Sequence, residues 1–191
     1  HQGVIASAAL YKYYDIDEIL ERAKEKGEDP FIVILDEITD PQNLGSILRS
    51  CDGAGVHGVV IPKRRAASLT PIIGKISAGA VEYVPVAKVT NINQTINYLK
   101  EKGLWIAGAD ADGEVYYEKD LTGPLALVVG SEGKGLGRLV KENCDFIVGI
   151  PMAGKISSLN AAVSCAIIIF EVQKQRAKQK ASAAFQEGSI H

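Results

Sequence analysis

The chain has 191 residues, 47% of them hydrophobic and 23% charged, enough to bury one full core and too few for several domains. Its net charge of −2 at pH 7 excludes a protein that is basic as a whole, so any contact with nucleic acid must come from local basic patches. Cys51, Cys144 and Cys165 lie far apart without CxxC or metal-ligand spacing, which argues against a disulfide framework or a metal site and fits reduced, structural thiols in a cytoplasmic protein.

HQGVIASAAL opens the chain with an apolar, β-capable run, and the absence of an initial methionine suggests a piece of something longer. KYYDIDEILERAKEKGED predicts a helix opened near Asp15 or Asp17, with Ile16, Ile19, Leu20 and Ala23 on one face and Gly27 at its end. FIVILDE reads as a strand covered on both faces. NLGSILRSCDGAG then spaces Leu44, Ile47, Leu48 and Cys51 for a helix stopped by Gly53 and Gly55, and HGVVIP is another buried strand, ended by Pro62. After KRRAASLTP come a helix from Ile72 to Ala80, the short extended run EYVPV, and a helix capped by Asn91 or Asn93 with Ile96 and Leu99 inward. LWIAGAD is the next strand, and ADGEVYYEKDLTGP a loop or minor hairpin. Leu125 to Val129 and Phe146 to Ile150 are two further strands, separated by a loop with glycines at 130, 133, 135 and 137 and an amphipathic segment from Leu136 to Asn143. A loop of small polar residues leads into a long apolar helix, whose run from Ala161 to Phe170 is interrupted by Ser164 and too short to span a bilayer. From Gln173 the apolar face is lost, predicting a frayed end whose last residues read as an added tail. The alternation implies an α/β fold with a mostly parallel sheet of about six strands and helices on both faces.

Two of those strands deliver glycine- and serine-rich loops to one edge of the sheet, where open α/β sheets bind ligands. Gly130 and Gly135 have the separation of a Walker loop, but Leu136 and Gly137 stand where Lys and Ser or Thr are required. Gly133, Gly135 and Gly137 do not have Rossmann spacing, and the next strand ends in Ile150 and Pro151 without the ribose-binding acid. A glycine cluster alone equally fits a tight strand-to-helix turn.

The combination is more specific. DPQNLGSILRS (40–50), VVGSEGKGL (128–136) and IPMAGKISSLNAAVS (150–164) resemble, in order and spacing, the three motifs of the SpoU (TrmH) branch of the SPOUT methyltransferases. HQGVIA and PKRRA extend the likeness toward the bacterial 23S rRNA guanosine 2′-O-methyltransferases, and it covers nearly the whole chain. The resemblance implies a C-terminal trefoil knot, a rare exception to normal topology, holding S-adenosylmethionine, a homodimer, and RNA as substrate. It divides the chain into 1–14, a linker strand from an N-terminal domain; 15–178, the catalytic domain; and 179–191, the frayed tail.

Carried over by position, Gly130, Ile150 and Leu159 are expected to contact the cofactor, with Gly108, Ala109 and Met152 around them; Asn43, Arg49, Glu132, Ser158 and Asn160 form the polar active-site set. Taken singly, Ile150 and Leu159 read as core, Asn43 and Ser158 as helix caps, and Arg49 and Glu132 as surface ion-pair partners. Lys63, Arg64 and Arg65 are expected to meet RNA phosphates, or else to be a solvated basic turn. For Arg49 the resemblance implies either removal of the hydroxyl proton or binding of the substrate phosphate. A guanidinium is a poor proton acceptor, so phosphate binding and charge stabilisation are the favoured expectation, with proton removal left open. Other readings are a tRNA guanosine target, a non-catalytic RNA-binding module, and a nucleotide-binding α/β enzyme.

Overall fold

The computed structural model describes residues 11–190, so the opening run HQGVIASAAL, and with it most of the expected linker strand, lies outside the described residues. Six strands form one sheet: β1 (Phe31–Asp36), β2 (Gly58–Pro62), β3 (Val86–Val89), β4 (Trp105–Val115), β5 (Leu125–Gly130) and β6 (Phe146–Gly149). Their order is β3-β2-β1-β5-β4-β6, and every neighbouring pair is parallel. A parallel sheet needs crossovers that cover both faces. Here α2 (Pro41–Ala54), α3 (Pro71–Ile76) and α6 (Ala161–Gly188) cover one face, while α1 (Ile16–Glu25), α4 (Ile92–Glu101) and α5 (Arg138–Asn143) cover the other.

Period-two alternation splits the core accordingly. In β1, Val33 and Leu35 join Leu44, Ile47, Leu48 and Ile168, whereas Ile32 and Ile34 join Ile19, Ile96 and Leu99. Each of these fully buried side chains contributes roughly 1.5–3 kcal/mol relative to exposure.

Local chemistry sets the element ends. Asp40 accepts from the Gln42 amide at 2.8 Å and Pro41 opens α2, while Gly55, at φ +74°, closes it. Asn91 caps α4 through the Gln94 amide at 3.0 Å. Three expectations are corrected. The helix expected to reach Ala80 stops at Ile76, and residues 80–82 form a separate 3-10 turn. The strand expected at EYVPV lies instead at Val86–Val89, because Glu82 is in that turn and Pro85 cannot donate to the ladder. The polar stretch after LWIAGAD continues β4 as far as Val115, pairing again with β6 after a bulge.

At the C-terminus α6 runs on as helix to Gly188, where fraying was expected from residue 179, although every residue described from Ala177 onward is exposed. The Ala, Lys and Gln content of KQKASAA favours helix without needing an apolar face. Arg176 fastens the packed part of α6 to the far edge of the sheet, donating to the Asp29, Pro30 and Gly123 carbonyls at 2.8, 3.3 and 2.7 Å. β5 enters between β1 and β4, β6 passes to the outer edge, and α6 returns across the sheet to α2. That course is compatible with a C-terminal knot. Among the described residues no helix is long and apolar enough to cross a membrane.

Candidate active site

Because all strands are parallel, their carboxyl ends share one edge, where Asp36 of β1 stands in register with Gly130 of β5 and Ala109 of β4 with Val129. The loop after β5 folds back on the strand that delivers it. Gly135 donates its amide to the Ser131 carbonyl at 2.9 Å, and Gly133 and Gly135 take φ of +81° and +64°. A Cβ on Gly130 would lie 2.2 Å from the Gly135 carbonyl oxygen, so only glycine lets the loop close this tightly.

This loop brings Glu132 to the N-termini of α2 and α6. Glu132 Oε1 accepts from the Asn160 side-chain amide, from Asn43 Nδ2 at 3.4 Å and from the Ala161 backbone amide at 3.2 Å. Asn160 also donates to Asn43 Oδ1 at 3.0 Å, while its own oxygen caps α6 by accepting from Ala162 and Val163 at 2.9 and 3.1 Å. One residue from each of the three sequence motifs therefore meets in a single network. The first backbone amide of α6, at its positive end, is among the donors to Glu132. Asn43 is not the cap of α2, a place held by Asp40, and Glu132 is in no ion pair among the described residues.

Beside the network opens a cavity of about 270 Å³, close to the roughly 300 Å³ at which small-molecule sites begin. Ala109, Gly130, Ile150, Met152 and Leu159 line it, together with Glu132 and Ser158 from the polar set. Its walls also include Val129 and Ile168, while Ser131, Ser157 and Ser164 add hydroxyls. Gly108 is not brought to it. Strand alternation turns Gly108 to the opposite face, where a Cβ would meet Ile147 and Leu136 at 2.7 Å and Cys144 Sγ at 2.9 Å.

Arg49 is exposed on α2, outside the cavity wall. Lys63, Arg64 and Arg65 are exposed after β2, on the same edge of the sheet. Arg65 is paired with Glu37 at 3.2 Å, and both residues have positive φ, +56° and +60°. Burial raises the Asp36 carboxyl above its usual range and lifts the Cys144 thiol to about 11; Cys51 and Cys165 are free and buried. Sequence reading missed Asp110 and Lys134, both on the cavity wall. The signal for Asp110 was present as an acid ending the apolar run LWIAGAD, at the carboxyl end of a parallel strand.

A family model described as "SpoU rRNA Methylase family" matches residues 30–170. The chain is 53% identical over 177 residues to YacO of Bacillus subtilis, named for the TrmH family of tRNA/rRNA methyltransferases, covering 92% of this chain and 71% of that protein. Among solved structures it is similar to the SpoU methyltransferase AviRb from Streptomyces viridochromogenes in complex with AdoMet, with a TM-score of 0.78 and 32% identity over 87% of this chain and 66% of that one. It is also similar to the A. aeolicus TrmH/SpoU tRNA modifying enzyme, with a TM-score of 0.73 and 30% identity over 86% of this chain and 85% of that one.

Proposed function

The chain belongs to the SpoU rRNA methylase family, and from that premise we propose that it is an S-adenosylmethionine-dependent RNA methyltransferase acting on a ribose 2′-hydroxyl, with a guanosine of 23S rRNA as its target. The observation that carries the reading is the network of Asn43, Glu132 and Asn160, which joins the three motifs at the rim of a ligand-sized cavity. The network supports this reading over a non-catalytic module of the same fold, for which losses among Asn43, Arg49, Glu132 or Asn160 would be expected.

The residues present fit the cofactor. Backbone groups around Gly130 and Ile150 offer donors and acceptors to an adenine edge, and Ile150, Met152 and Leu159 offer apolar cover to its face. Bound there, S-adenosylmethionine supplies a methyl group already activated on a sulfonium. The protein's own task is then largely alignment, which can lower a barrier substantially. Glu132, fixed by three donors to one of its oxygens, keeps the other for the acceptor ribose, with Ser158 and Asn43 beside it. Arg49, Lys63 and Arg64 hold the flanking phosphates, which fits their exposure on or beside this edge. Restriction to RNA follows from the 2′-hydroxyl itself.

In this reading β6 and α6 complete a trefoil knot, and two copies pair in the cytoplasm through apolar surface near the site, where Val163 and Phe170 are 47% and 42% exposed. A tRNA guanosine is the second target to test, because the A. aeolicus relative is a tRNA modifying enzyme. Calorimetry with S-adenosylmethionine and S-adenosylhomocysteine, using ATP and NAD as controls, tests the cofactor. Saturable binding of the first two alone is expected, whereas binding of ATP or NAD alone would overturn the reading.

A further inference from the structure

The end of β4 is built in an unusual way. Ala109 and Glu114 both pair with Val148, so residues 110–113 are looped out of the sheet. Two glycines make room for this excursion: a Cβ on Gly113 would lie 2.5 Å from the Val148 carbonyl carbon, and one on Gly149 would lie 2.6 Å from the Asp110 carbonyl oxygen. Bulges of this kind re-aim side chains beside active sites. Here the result is that Asp110 lines the cavity. Its Oδ2 lies 3.0 Å from where a Cβ on Gly135 would stand, so the carboxylate closes the corner between β4 and the glycine loop. Lys141 of α5 reaches it from the other side, with Nζ 3.6 Å from Asp110 Oδ2 and 2.9 Å from Asp112 Oδ1. The charged side chains on the wall are Asp110, Glu132 and Lys134. Glu132 is held through one oxygen by Asn43, Asn160 and the Ala161 amide and keeps its other oxygen for the acceptor ribose, so Asp110 is the carboxylate left to face the cofactor.

We propose that Asp110 reads the ribose of the cofactor, accepting hydrogen bonds from its 2′- and 3′-hydroxyls, and that Lys141 is the residue that positions it. The proposal deepens the methyltransferase reading and rests on it. A carboxylate is an acceptor only, which suits a vicinal diol and does not suit the adenine edge, where donors are needed too. The methionine carboxylate would be repelled. An acid at the carboxyl end of a parallel strand fills the same role toward ribose in dinucleotide-binding folds, although the Rossmann loop spacing is absent from this chain.

The test is calorimetry of the whole chain with S-adenosylhomocysteine and with 5′-methylthioadenosine, which keeps the adenine and ribose but lacks the amino-acid end. Asp110→Asn is expected to weaken both ligands by the same factor, about tenfold, without changing the fold seen by circular dichroism. Lys141→Met is expected to weaken both by a smaller factor, with Lys141→Arg restoring the loss. Wild-type affinity in Asp110→Asn would overturn the proposal. So would a loss confined to S-adenosylhomocysteine, because the carboxylate would then be reading the ammonium group. Wild-type protein that binds neither ligand would overturn the cofactor reading beneath it, an outcome distinct from both.

Discussion

At the scale of single residues, the site rests on a few side chains with divided duties. Asn160 is the clearest case: its oxygen caps α6 while its amide joins Glu132 to Asn43. Asn160→Ala is expected to cost about 1 kcal/mol through the lost cap, read as a lower midpoint in urea, and to lower methylation far more than that stability loss explains. Arg49 has a different role because it is exposed and outside the cavity. A bidentate phosphate contact would make Arg49→Lys non-conservative, so methyl transfer to RNA should fall about tenfold or more while S-adenosylhomocysteine affinity stays unchanged. Near-full activity in that variant would remove the phosphate role.

At the scale of elements, the glycine loop depends on one missing side chain. Gly130→Ala places a Cβ 2.2 Å from the Gly135 carbonyl oxygen, and backbone cannot yield as the end of a flexible side chain can. The loop must therefore move off β5, and cofactor binding measured by calorimetry is expected to fall by at least about tenfold. A variant that bound normally would show that the tight turn serves packing alone. The elements themselves were largely legible in the sequence. Continuous apolar runs such as Phe31–Leu35 and Leu125–Val129 mark strands buried on both faces, and Asp40, Pro41 and Gly55 mark the ends of α2. What could not be read were features set by distant partners. The return of β4 to β6 through Glu114 and Val115 depends on backbone space beside Gly113 and Gly149. Gly108 is a motif neighbour of the cofactor by resemblance alone, and strand alternation, which motif likeness does not carry, points its Cβ position at Ile147, Leu136 and Cys144 instead of the cavity. Asp110 stands outside the three motifs, and although its place at the carboxyl end of β4 is legible, the looped-out segment that carries it to the cavity is not.

At the scale of the whole molecule, the two edges of the sheet are specialised. The carboxyl edge gathers the polar network and the basic loop, while the amino edge is tied down by Arg176 and by His57. His57 is buried and accepts the Phe31 amide on Nδ1 at 2.9 Å, and burial lowers its pKa from the ordinary 6.5. The unfolded chain therefore binds a proton more readily than the folded one. Stability from this group is complete above about pH 6.5 and declines as pH falls through that value toward the lower folded pKa. Thermal midpoints should drop between pH 7 and 5, and His57→Gln should flatten that part of the curve. An unchanged slope in the variant would assign the acid sensitivity to other groups.

The central claim is methyl transfer to a ribose 2′-hydroxyl, and mapping the product tests it most directly. The chain is incubated with methyl-labelled S-adenosylmethionine and, separately, with unmodified 23S rRNA and tRNA, and the RNA is then digested to nucleosides. Label in 2′-O-methylguanosine from 23S rRNA is the predicted result, and the same nucleoside from tRNA alone would change the target but keep the chemistry. Label on a base, or none from a chain that binds the cofactor, would contradict the account.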